Sequence, residues 1–444
     1  MRFFPWLLLA ACQYNPPSIG DDDDVQPDAE VTPDAYVLPE PELFPGGGIG
    51  DGPIVAGINV FVVDEDTDVP VAGASITIGA VTGTTDANGL FVTSDPAIAG
   101  KQSVLVTAGG YRPQLWVGVE GANVTIQIKS TVAASPVGVL SGNITGFASV
   151  PIGTGTNHFR RGNVEYTQHD NASDRINNLP NSLNGCTVQG AGQCNWALQS
   201  RVGTVAVFAS ISDLDTKGNS DPRDDDSTVV TFAYKRGITV ISGTTLAAQD
   251  LTVLQPTEVT DVTTTFGTLP AEFGGAFAFL GLELGDEGTA LVNFAVRDVS
   301  SKMPATSVFP GSTYRVTGLA FGTDSFSVPI VRGLSGTALA IESWPVPPTN
   351  ITATRQQLSF TAAQANIHTT IYEDDVQNGG IEHLAITIFD DTTTLQIPPS
   401  IALPTTALRV EVGSMSTRLD VTSFGFDAER AKLDGFAIRN ADVN

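Results

Sequence analysis

The chain has 444 residues, 41% of them hydrophobic and 16% charged, with 48 acidic against 22 basic side chains and a net charge of −26. That length and apolar content support two to four domains with cores of their own and exclude a wholly disordered chain. A surface this negative, without a Lys/Arg cluster, repels phosphate backbones and excludes nucleic acid as a partner.

Taken in chain order, the first element is a leader. Arg2, the apolar run Phe3 to Leu9 and the small residues Ala10 and Ala11 have the three parts of a secretion signal over residues 1–11. The run is short and holds Pro5. Leu9, Ala10, Ala11 and Cys12 resemble the bacterial lipoprotein box, which is cut before its cysteine. The resemblance implies a lipid (palmitate) on Cys12, the membrane as a partner and a cell-envelope address. Gln13, where enteric bacteria place aspartate to retain a lipoprotein at the inner membrane, directs the expectation to the outer membrane. No later segment approaches the roughly 18 consecutive apolar residues of a membrane-spanning helix, so the lipid is the expected anchor.

Residues 12–53 read as a disordered acidic linker. Between Gln13 and Pro53 stand ten acidic residues, no basic ones, recurrent prolines and a glycine cluster, a composition that stays extended and buries little.

Residues 54–130 change character. Apolar residues recur at every second position through Ile58, Val60 and Val62, then Ala74, Ile76 and Ile78, then Leu90 and Val92, with turn residues between the runs, the period of strands. In "TDANGLF", Asn88 and Gly89 are expected to supply the positive φ angles of a tight turn that hands Phe91 to the core. The turn from Asp64 to Pro70, "PVAGASI", "TTDANGLF" and "VTAGGY" resemble the carboxypeptidase regulatory-like (CnaB or transthyretin-like) domain. The resemblance implies a seven-stranded sandwich that serves as a spacer or adhesion module without catalysis.

Residues 131–344 continue in β style through "GTVAVFASIS", "STVVTFAYKRGITVIS" and "STYRVTGLAFG", and read as one large or two ordinary β-sandwich units. Residues 345–415, with a proline-rich entry, "LSFT" and "ALRVEV", resemble a fibronectin type III domain, with Phe360 where that family usually has tryptophan. Residues 416–444 form a C-terminal extension with a short helix expected near Ala428 to Leu433. The fold class is thus all-β, a multidomain string of antiparallel β-sandwiches after the acidic linker.

Chemistry is sparse. No nucleophile elbow, zinc-protease helix, phosphate loop, Cys-x-x-Cys pair or dinucleotide fingerprint occurs. His158, Glu165, His169 and Asp170 in "HFRRGNVEYTQHD" lack a third well-spaced ligand for a metal. Cys186 and Cys194 in a Gly-rich loop are expected to pair as a disulfide, with metal binding by two thiolates the poorer alternative. In "SDLDTKGNSDPRDDDST", residues 212–228, Asp213, Asp215, Gly218, Asn219, Asp221 and Asp224 partly match an EF-hand-type loop. Lys217 interrupts that match and an aspartate stands in place of the closing glutamate. The loop is therefore either a solvated acidic hairpin tip or a structural calcium site with Asp213, Asp215, Asn219, Asp221 and Asp224 as ligands.

The function these features support is a non-catalytic envelope lipoprotein that presents β-sandwich modules for binding, adhesion or scaffolding, with a protein or glycan partner at the cell surface. The alternative is a hydrolase of envelope or extracellular polysaccharide, its paired carboxylates in the central region.

Overall fold

Alternation of β-branched and aromatic residues with polar ones makes pleated strands, and strands fill the chain. The computed structural model describes residues 36–131, 137–168, 184–374 and 380–444. Cys12, the leader, the linker up to residue 35, His169 and Asp170 lie outside the described residues. Residues 38–444 form one compact unit.

The first strands are β1 (Gly48–Pro53), β2 (Ile58–Asp64), β3 (Ser75–Ile78), β4 (Val81–Thr84), β5 (Leu90–Thr93), β6 (Gln102–Thr107), β7 (Gln114–Val119) and β8 (Gly121–Ile128). Two sheets, one with the order β1-β8-β2-β5 and one with β7-β6-β3-β4, enclose Val60, Val62, Ile76, Val104, Val106 and Ile126. The Asp64 carboxylate accepts the backbone N–H of Asp66 at 3.1 Å and of Thr67 at 3.0 Å, which closes the turn towards Pro70. In "TDANGLF" Gly89 alone takes the left-handed conformation, at φ 70°. The Asp86 side chain holds the rest of that turn through the N–H groups of Asn88 and Leu90, and Phe91 packs half-buried against the core.

The linker reading ends too late. Residues 46–50 are buried, and β1 pairs with β8. The glycines of "PGGGIG" allow this close approach rather than a loose tether: a Cβ on Gly48 would lie 2.4 Å from the Phe424 carbonyl oxygen and 2.7 Å from Phe44 Cβ.

The central region supplies β9 (Val137–Thr145), β10 (His158–Tyr166), β11 (Asn184–Val188), β12 (Asn195–Arg201), β13 (Gly203–Asp215), β14 (Asp226–Val240), β15 (Thr245–Leu246) and β16 (Leu251–Val253). Their sheet runs β11-β10-β13-β14-β16-β9-β12, with β15 beside β9. Its two edges meet again, because a disulfide joins Cys186 on β11 to Cys194 just before β12, with Cα atoms 5.5 Å apart. The sheet therefore rolls around Leu140, Ile144, Val164, Trp196, Val207 and Ile211. The bond closes a loop with a sequence separation of only 8, so its expected contribution is about 2 kcal/mol. Unfolded, unreduced protein should show no reactive thiol from this pair; two thiols per chain beyond Cys12 would refute the bond.

Next come β17 (Val259–Phe266), β18 (Gly275–Glu283), β19 (Thr289–Ala295), β20 (Ser300–Pro304), β21 (Thr313–Phe321), β22 (Ser325–Leu334) and β23 (Ala338–Ile341). They are followed by β24 (Thr349–Ala353), β25 (Gln357–Thr361), β26 (Ile367–Asp374), β27 (Glu382–Ile388), β28 (Thr394–Gln396), β29 (Leu408–Thr417), β30 (Phe424–Gly425) and β31 (Leu433–Asp442). One twelve-stranded sheet links most of the chain in the order β19-β18-β21-β22-β31-β29-β26-β27-β7-β6-β3-β4. The expected helix is a single turn, α1 (Phe426–Glu429), then a 3-10 turn; β31 takes over at Leu433.

The all-β layers share strands instead of being joined by linkers. In β13, Val205, Val207, Ala209 and Ile211 enter the rolled core, whereas Ala206 and Phe208 enter a neighbouring core with Leu280, Val316 and Trp344. β14 does the same with Ala233 on one side and Phe232 and Tyr234 on the other. Likewise β6 and β7 give Val104, Val106 and Trp116 to the first sandwich but Leu105, Leu115 and Val117 to the core of residues 353–412. The near-continuous apolar run "VAVFASI" follows from this burial of both faces. Phe360 is buried in that last core, edge-on to His368 at 5.3 Å.

Candidate ligand-binding cavity

Side chains of one strand alternate between the two faces of its sheet. On β26 and β29, Tyr372, Val410 and Val412 fill a hydrophobic core, while Ile371, Thr369, Glu411 and Met415 line a cavity on the opposite side. That cavity extends across β22 and β31 on one flank and β27 and β7 on the other. Trp116 and Gln127 of the first sandwich and Leu419, Phe426 and Arg430 also line it. Its volume is about 560 Å³, inside the range of roughly 300–1,000 Å³ typical of small-molecule sites.

Most of the polar groups in its wall are already engaged. Arg112, 4% exposed, pairs with Glu65 at 3.5 Å and with Glu382, which also binds Lys129 at 2.8 Å. Arg332 pairs with Glu283 at 3.3 Å, Gln127 donates to Asp68 at 3.0 Å and Gln114 to the Thr387 hydroxyl at 3.2 Å. Two charged residues differ. Among the described residues, the side chains of Glu411 and Arg430 line the cavity without a hydrogen bond or ion pair. Glu411 is the single carboxylate in the lining. Burial raises its pKa above the ordinary range, and the negative charge of Glu373 adds to the rise against an opposing effect of Arg409. Arg409 is itself held by Glu373 at 3.0 Å.

The same face of the sheet continues outward as an aromatic surface. Phe277 packs edge-on to Phe279 with centroids 5.2 Å apart and lies 5.8 Å from Phe321, which is 44% exposed. Phe294, paired with Phe279 across β18 and β19, is 59% exposed. Phe326 and Phe436, 6.1 Å apart, stand where this surface enters the cavity. Sequence reasoning missed the site, because its walls come from strands far apart in the chain; the signal available was the repeated Phe at alternate positions in "GAFAFLG".

The acidic residues singled out by spacing are dispersed over the β13–β14 hairpin. Asp213 sits at 2.9 Å from His158 Nδ1 and accepts the Gly153 N–H at 2.8 Å. Asp215 is pulled down to about 2 by the backbone N–H and ammonium of Lys217 and by Asn157. Lys217 is in turn pushed up to about 12 by Asp226 and Asp215. Asp221 holds Arg223 at 2.9 Å, and Asn219 donates to Asp224 at 2.9 Å. The EF-hand-like positions are thus engaged with local cations and amides, and among the described residues no group of three His, Cys, Asp or Glu is placed to hold a metal. His158 also borders a second, shallow cavity of about 430 Å³ with Arg160, whose guanidinium is tied to the carbonyls of Val150 and Gly190. Among the described residues no helix is long and apolar enough to cross a membrane.

No family model matches the chain, and no curated protein matches it. Among solved structures, it is similar to the FN1–FN3 domains of chicken CNTN1, at 11% identity over 59% of this chain and 85% of that one, with a TM-score of 0.13. It is also similar to a tetra-tandem repeat in the extending region of a large adhesion protein, at 12% identity over 88% of this chain and all of that one, with a TM-score of 0.14. At such scores the likenesses carry no weight of their own, and the all-β architecture rests on the strands, sheets and cores themselves.

Proposed function

We propose that the chain is a lipoprotein of the cell envelope, held to the outer membrane through Cys12, and that it presents β modules for binding or scaffolding rather than for catalysis. In this reading residues 54–130 are a carboxypeptidase regulatory-like module and residues 345–415 a fibronectin type III-like one. The observation that favours a presenting role is the sharing of β6, β7, β13 and β14 between neighbouring cores. Shared strands leave no hinge between modules, so a surface on one module is held in fixed register with the next. A calcium ion at the β13–β14 hairpin stays a secondary expectation, tested by the thermal midpoint in chelator against millimolar calcium.

Cys12→Ser is expected to move the protein from the membrane to the soluble fraction of cells. Unchanged membrane partitioning of that variant would show that Cys12 is not the anchor. Crosslinking in intact cells would then identify the partner, whether protein or glycan.

A further inference from the structure

We propose that the cavity on the twelve-stranded sheet, together with the aromatic surface leading into it, binds a single-chain zwitterionic amphiphile. Its apolar chain lies along Phe277, Phe321, Phe326 and Phe436, and its head lies between Glu411 and Arg430. The site does not depend on lipidation of Cys12.

Three observations converge on this ligand. The first is shape. From β18 to β29 the sheet advances by four strand spacings, about 19 Å at roughly 4.8 Å each. Along that path the apolar wall goes from the exposed Phe321 to the half-buried Phe326 and Phe436, which line the cavity, as a chain entering from one side requires. The second is chemistry. Flat aromatic and aliphatic side chains give a long apolar body favourable burial at every step, and an exposed apolar patch of this kind marks a binding surface rather than ordinary solvent-facing strand. The third is charge. The other charged groups of the lining, Arg112 and Arg332, are neutralised by their own carboxylates, which leaves one acidic and one basic side chain, Glu411 and Arg430, with no ion pair among the described residues. An ion in a low-dielectric cavity is costly until it is paired. A head carrying both an ammonium and a phosphate satisfies both residues at once, whereas a fatty acid or an alkylammonium satisfies one and leaves the other.

The test uses the full chain and lysophosphatidylethanolamine below its micelle concentration, with lysophosphatidylglycerol of the same chain length for comparison. Binding is followed by calorimetry and by the fluorescence of Trp116, which lines the cavity. The zwitterionic lipid is expected to bind saturably at one site and more tightly than the anionic one. Glu411→Gln should weaken it about tenfold while leaving the anionic lipid bound no more weakly, since glutamine keeps the shape of the side chain and loses the charge that meets the ammonium. Arg430→Gln should weaken both. Phe321→Ala changes an exposed side chain, so it leaves the fold intact and should weaken long-chain but not short-chain lipids. Absence of saturable binding, equal binding of the two lipids, or wild-type affinity in the Phe321→Ala protein would each overturn the proposal.

Discussion

Phe208→Ala is expected to destabilise the protein by about 3–5 kcal/mol, and Ile211→Ala on the same strand by about 2–5 kcal/mol, each within one unfolding transition. Phe208 is 2% exposed and stacks on Tyr234 at 5.9 Å in one core, whereas Ile211, fully buried, belongs to the rolled core on the other face of β13. Because the β13–β14 hairpin supplies side chains to both, a cavity opened on either side loosens a wall of the other. Trp344 reports the first core and Trp196 the second. In denaturant titrations of single-tryptophan proteins the two probes should give the same midpoint, and the midpoints should shift together in either variant. Separate midpoints would mean that the cores unfold independently and that strand sharing does not couple them.

The second large effect concerns Glu165 on β10, opposite Phe208 in the register with β13. Burial pushes its carboxyl up to about 7 from an ordinary 4.5. The folded chain therefore holds a proton that the unfolded chain releases, and stability falls as the pH rises from about 4.5 through about 7, then stays at the lower level. At about 1.36 kcal/mol per pH unit the loss is on the order of 3 kcal/mol. Glu165→Gln carries no proton to lose at this position, so its stability should fall less steeply across this window, the remaining fall coming from groups such as the buried Glu411 carboxyl, and should exceed that of the wild type at pH 8. Urea unfolding at pH 5 and pH 8 measures it. Equal pH dependence in the two proteins would show that the Glu165 carboxyl is solvated in the fold.

The strands were legible wherever one face is buried. Ala74, Ile76 and Ile78 alternate with the exposed Ser75 and the half-buried Thr77, and period two is then visible in the letters. The pairing of Cys186 with Cys194 was legible for a simpler reason: two cysteines in a short glycine-rich loop have few other partners. What the residues did not disclose is which face meets which. Leu105 and Val106 are both apolar, and nothing local says that one serves the first sandwich and the other a core built some 250 residues later. The cavity was hidden for the same reason, since Gln114, Glu411 and Phe326 meet only through the sheet order. The acidic hairpin shows what spacing alone leaves out. Its spacing evokes a cation loop, yet Lys217, Arg223, His158 and Asn157 sit close enough to occupy those carboxylates.

Strand β31 lies between β22 and β29, antiparallel to both, and β30 pairs with β1, so residue 425 meets residue 48. A nascent chain that has emerged only as far as residue 432 therefore presents two unsatisfied ladders, the exposed borders of β22 and β29, each able to recruit a strand from another molecule. Synthesis of this protein has a window of vulnerability that shuts late, when a ten-residue segment slots between two halves that are already made. Any holdase that escorts the chain has its task defined by that gap: to keep both borders apart from foreign strands until β31 arrives.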